Sequence, residues 1–81
     1  MREFRDEDGN LWEAIALDAV VAHGKQGKVL AFRPAGEPDS APLRTSITFN
    51  SGEAADFALR TLGEKELLRR LSLVRAAAGG V

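Results

Sequence analysis

A chain of 81 residues makes one domain, and a domain this small buries too little surface to be more than marginally stable. It has no cysteine, which excludes disulfides, thiolate metal sites and cysteine nucleophiles. No apolar run approaches the roughly 20 residues that span a bilayer, and the charged opening MREFRDEDGN lacks the apolar core of a signal peptide, so a cytoplasmic protein is expected. Net charge is −1 but unevenly spread. Residues 1–20 set two arginines against six carboxylates, and residues 60–81 set five cations against two. An acidic head and a basic tail attract each other, within one chain or between two.

Residues 1–49 carry turn punctuation and short apolar runs, as a β half does. Residues 2–6 read as a short strand. Two loop lengths then compete. A two-residue turn at Asp8-Gly9 sets Phe4 opposite Glu13. A three-residue loop, Glu7-Asp8-Gly9, with Gly9 left-handed, sets Asp6 opposite Asn10 and Phe4 opposite Trp12. The second makes an aromatic cross-strand pair, worth about 0.2–1 kcal/mol, and is the expected register.

Residues 10–21 are apolar on odd and even positions alike, so periodicity leaves helix as a competitor; the flanking turns favour strand. HGKQG, 23–27, is a glycine-rich hairpin loop before a strand at 28–33. PAGEPDSAP, 34–42, is a loop. In LRTSITF, 43–49, Arg44, Ser46 and Thr48 alternate with Leu43, Thr45, Ile47 and Phe49, the cleanest period-two strand of the chain.

Beyond residue 50 come helix formers and no proline. Ser51 or Asn50 caps a first helix with apolar positions Ala54, Phe57, Ala58 and Leu62. Thr61 and Glu64 stand at capping-box spacing, which starts a second helix. It runs to about Ala78, with Gly79-Gly80 as its stop. It buries Leu67, Leu68, Leu71 and Val74, and turns Lys65, Glu66, Arg69, Arg70 and Ser72 to water. The expected fold is α+β: a single domain over 1–81, with an antiparallel β-meander of three to four strands in 1–49. Two C-terminal α-helices in 50–79 pack on one face of it. The expected core is Phe4, Trp12, Ile15, Leu17, Val29, Leu30, Phe32, Ile47, Phe49, Phe57, Leu62, Leu67, Leu71 and Val74.

Four motifs invite a function and fail on spacing or context. Counted from Asp6, a calcium EF-hand loop needs glycine where Leu11 stands and a bidentate glutamate where Leu17 stands. A phosphate-binding loop ending at Gly27-Lys28 needs glycine at Ala22, a hydroxyl at Val29 and a helix where a strand follows. His23 is the lone histidine, with no partner that spacing places beside it. RRLS, 69–72, resembles a basic-directed kinase site but falls inside a helix.

The expected function is a small non-enzymatic protein–protein interaction module, an accessory or regulatory protein that binds another protein or itself. Strand 43–49 or the short first strand offers a free edge for it. The alternative is a nucleic-acid-associated protein, since Phe32, Arg33, Arg44 and Phe49 mix aromatic and basic residues on neighbouring strands. A pI of about 5.8 and the absence of an RNP-type string weigh against it. An enzyme, third, needs Glu13 and Asp18 in one polar pocket. The candidate partner or anion contacts are Lys25, Lys28, Arg33, Arg44, Arg69, Arg70 and Arg75. No catalytic residue, cofactor, metal or membrane contact is expected.

Overall fold

The computed structural model describes residues 1–79. Four strands lie in chain order in one sheet: β1 (Arg2–Arg5), β2 (Leu11–Val20), β3 (Gln26–Pro34) and β4 (Leu43–Phe49). Every neighbouring pair is antiparallel. Two helices follow, α1 (Gly52–Thr61) and α2 (Glu64–Gly79), which makes the fold α+β. Gly80, the second glycine of the expected stop, lies outside the described residues.

Gly9 sets the first register. Its φ of +84° lies in the left-handed region that glycine enters without penalty. Its N–H donates to the Asp6 carbonyl at 3.0 Å, and the Asp6 N–H donates to the Asn10 carbonyl at 2.9 Å. The three-residue loop this closes puts Phe4 opposite Trp12. Residues 12–20 then pair without interruption against 34–26, so the doubly apolar run is a strand, with Trp12 and Ala14 buried on one face and Ile15 on the other, while Asp18 and Val20 are exposed.

The next loop is shorter than HGKQG suggests. The Val21 N–H donates to the Lys25 carbonyl at 2.7 Å, and Gln26 and Gly27 already belong to β3. Gly27 works in a strand because a Cβ there would collide with the Phe49 carbonyl oxygen and the Val21 side chain. β4 meets β3 through a register shift: Val29 faces Thr48, yet Ala31 faces Arg44. The Thr45 hydroxyl spans the irregularity, donating to the Leu30 carbonyl at 2.8 Å and accepting from the Ile47 N–H at 3.1 Å.

Strand alternation puts Phe4, Trp12, Ala14, Leu30 and Phe32 on one sheet face, where Leu59, Leu67 and Leu71 complete the core. The Phe4 and Phe32 rings meet edge to face, 5.7 Å apart. Leu43, Ile47, Phe49, Leu62, Leu68 and Val74 pack at its margin. Ile15 and Val29 are buried too, but alternation places them on the opposite face with half-buried Leu17.

Phe57 does not join the core. It is 60% exposed, and α1 buries Ala55 and Leu59 instead. The helix is turned by one residue, about 100°, from the expected stripe. Ala55, Leu59 and Leu62 form a consistent i, i+4, i+7 row, and a contact distant in sequence holds it. Arg2 reaches from β1 and donates to the carbonyls of Leu59 at 3.2 Å and Leu62 at 2.9 Å. A guanidinium at a helix's carbonyl end satisfies orphan acceptors and suits the dipole. At the other end the Ser51 hydroxyl oxygen accepts from the Ala54 N–H at 3.1 Å, as a cap should. Thr61 caps nothing in α2. Its hydroxyl donates to the Phe57 carbonyl at 2.7 Å, inside the last turn of α1, and the Gly63 carbonyl accepts the first bond of α2 from Leu67.

Asp6 joins the first hairpin to α2. Its Oδ1 accepts from the N–H groups of Asp8 and Asn10, each at 2.9 Å. Its Oδ2 accepts from Trp12 Nε1 at 2.9 Å and lies 3.6 Å from the Arg75 guanidinium, whose centre stands 5.3 Å over the Trp12 ring. Only 6% of the Asp6 side chain is exposed. Desolvation pushes its carboxyl up, but the Trp12 indole and the N–H groups of Asn10 and Asp8 outweigh that and hold it below the ordinary carboxylate range.

Gly9→Val forces a β-branched residue to a positive φ in otherwise open space, so the cost is backbone strain alone, about 1–3 kcal/mol by urea unfolding. Added calcium leaves the wild-type midpoint unchanged. Asp6 has a lowered folded pKa, so its stabilising contribution is present above the unfolded value near 3.8 and is lost as pH falls through the folded value. Urea midpoints show wild type more stable than Asp6→Asn at neutral pH, with the two converging on acidification through that range.

Candidate functional site

The sheet and α2 spread the seven nominated cations over different surfaces, and five of them are held by carboxylates of the same chain. Lys28 stands opposite Asp18 in the β2–β3 ladder and binds its carboxylate. The hydrogen bond from Lys28, then its charge, draws the Asp18 carboxyl below its ordinary range. Arg33 stands opposite Glu13, and its Nε donates to Oε1 at 2.8 Å in a half-buried pair. Arg69 and Arg70 share Glu66 Oε1, at 3.3 and 2.7 Å. Arg75 is taken by Asp6 and Trp12. Among the described residues, Lys25 and Arg44 make no ion pair, and both are exposed.

Strand alternation also separates the groups that a catalytic or stacking surface would need together. Glu13 and Asp18 sit at odd and even positions of β2, so they project to opposite faces, each with its own cation. Phe32 is fully buried beneath the helices and Phe49 half-buried at the core margin, while Arg33 and Arg44 alternate to the other face, Arg44 on the edge strand where it also borders the space between β4 and α2. The aromatic and basic residues of the two strands therefore do not form one surface. RRLS lies within α2 with Leu71 in the core, so its backbone is helical and one of its side chains is buried. His23 is exposed in a 3-10 turn at Ala22–Gly24, and among the described residues no three His, Cys, Asp or Glu side chains converge as a metal cluster.

Both sheet edges are blunted. β1 has four residues, three of them charged, and β4 carries the register shift at Thr45. Short charged edges and irregular ones are the usual devices against strand-to-strand pairing.

Two of the nominated cations do come together. α2 packs along β4, the last strand of the sheet, and between them runs an open groove of about 410 Å³. Ile47, Leu73, Val74 and Ala77 give it an apolar lining, with Arg44 and Arg70 beside them. It continues past Pro42, Leu43 and Ala78, and among the described residues no carboxylate lines either part. Arg70, Leu73, Val74 and Ala77 form one row along α2, the i, i+3, i+4, i+7 spacing of a helix face. Leu73 is 54% exposed. It lies outside the stripe 67, 68, 71 and 74 that the sequence pattern assigns to the buried face of α2. The available signal was a leucine left outside that stripe.

A second, smaller cleft lies between the hairpin tip and α2, lined by Asp6, Glu7, Asp8, Leu68, Ser72 and Arg75, and its central charges already neutralise each other. No described helix is long and apolar enough to cross a membrane. No family model, curated protein or solved structure matches this chain.

Proposed function

We propose that this chain is a small non-enzymatic protein–protein interaction module, an accessory or regulatory protein that engages another protein through the β4–α2 groove. The observation that carries the reading is the coincidence, in one accessible concavity, of exposed Leu73 with Arg44, a cation that no carboxylate of the described residues compensates. Apolar surface rimmed by polar groups is the usual mark of a binding surface. The cysteine-free composition suits a reducing cytoplasm as its setting. A nucleic-acid role draws on Lys25, Arg44 and the helix arginines and is the weaker reading, because most of those cations already have internal partners.

Site-specific photo-crosslinking in the source cell tests the proposal. A benzophenone side chain at position 73 captures a protein, whereas the same group at exposed position 57, on the outer side of α1, does not. Absence of any protein adduct at position 73 overturns the reading, and light scattering of the purified chain separates a different partner from a second copy.

A further inference from the structure

We infer that the β4–α2 groove takes an acidic amphipathic helix of a partner protein, a conclusion that rests on the interaction-module reading and gives the partner its chemistry. The apolar lining from Ile47, Leu73, Val74 and Ala77 suits aliphatic side chains, which gain by leaving water. Arg44 and Arg70 stand beside that lining, and no lining residue among those described is a carboxylate. Arg44 makes no ion pair among the described residues. Arg70 uses Nε on Glu66 and keeps the terminal guanidinium N–H groups of its fork for a second acceptor. The acidic head of the chain does not supply that acceptor here, because Asp6 is bound at the other side of α2 by Arg75 and Trp12.

Three rival occupants fit less well. A second copy docked by the same face about a two-fold axis brings two copies each of Arg44 and Arg70 into one interface, which repels. A nucleic acid meets an aliphatic lining with no ring on which to stack bases. A strand added to β4 meets the register shift at Thr45, where the Ile47 N–H is already taken by the Thr45 hydroxyl. A helix laid along α2 needs none of that ladder. The row from Arg70 to Ala78 is about 12 Å long, roughly two helical turns, enough to seat apolar residues at helical spacing with carboxylates beside them.

Selection of a phage-displayed library of random 16-residue peptides on the full chain tests this, followed by fluorescence anisotropy of the selected peptides. The expected peptides interleave Asp or Glu with Leu, Ile or Met at helical spacing, and they bind more weakly as salt rises. Arg44→Glu and Leu73→Asp each weaken binding about tenfold or more, Arg44→Ala weakens it less, and Phe57→Ser leaves it unchanged. Circular dichroism confirms that each variant compared is folded; Arg44→Ala, the mildest change at an exposed position, keeps the test open if the others are not. No enriched peptide, enrichment without acidic bias, or binding indifferent to Arg44 and to salt overturns the inference. So does a single-stranded oligonucleotide that competes the peptides away. Where position 73 crosslinks a protein in cells but Arg44→Glu changes neither crosslink nor peptide binding, the interaction module stands and its acidic partner falls. Where position 73 crosslinks nothing, the module reading itself falls.

Discussion

The structure depends on one carboxylate. Asp6 closes its own hairpin through the N–H groups of Asp8 and Asn10, fixes the Trp12 indole, and holds Arg75 of α2 over the Trp12 ring. A two-layer domain of this size has little apolar area to spend, so a polar contact that locks helix to sheet carries unusual weight. Arg2, four residues earlier, does the same for the other helix by taking the last carbonyls of α1. The shortest strand of the sheet and the turn residue that follows it thus tie down both helices.

That arrangement also decides where charge remains. The acidic head and basic tail meet inside one molecule at a single ion pair, Asp6 with Arg75. Cross-strand pairing absorbs Lys28 and Arg33, and helical spacing gives Arg69 and Arg70 to Glu66. Of the seven nominated cations Lys25 and Arg44 are left over among the described residues, and Arg44 stands on the edge strand beside a helix whose Leu73 is exposed. The groove is therefore a by-product of how the core is closed. α2 has more apolar residues than the sheet face can accept, and Leu73 is the surplus.

Legibility in the sequence followed the range of the interaction concerned. The first hairpin was readable because its determinants lie within nine residues: a glycine for the left-handed position, and two aromatics that only one register brings together. The strand over 10–21 was readable only with help from its flanking turns. The face of α1 was not, since the bulk of Phe57 suggested one stripe while Ala55, Leu59 and a guanidinium from residue 2 set another. Thr61 and Glu64 had the spacing of a capping box, yet the helix before them ran on through Thr61 and used its hydroxyl. Of the candidate site, Arg44 and Arg70 were named from charge, whereas Leu73 and Ile47 were not.

Local chemistry determined the meander, its turns and the existence of two helices, because alternation, glycine and capping residues act over a few positions. Which cations stay unpaired, which face of each helix is buried and where a groove opens were decided by tertiary structure alone. Those properties belong to pairs such as Glu13 with Arg33 and Asp6 with Arg75, whose members are 20 and 69 residues apart, a separation at which sequence spacing carries no distance.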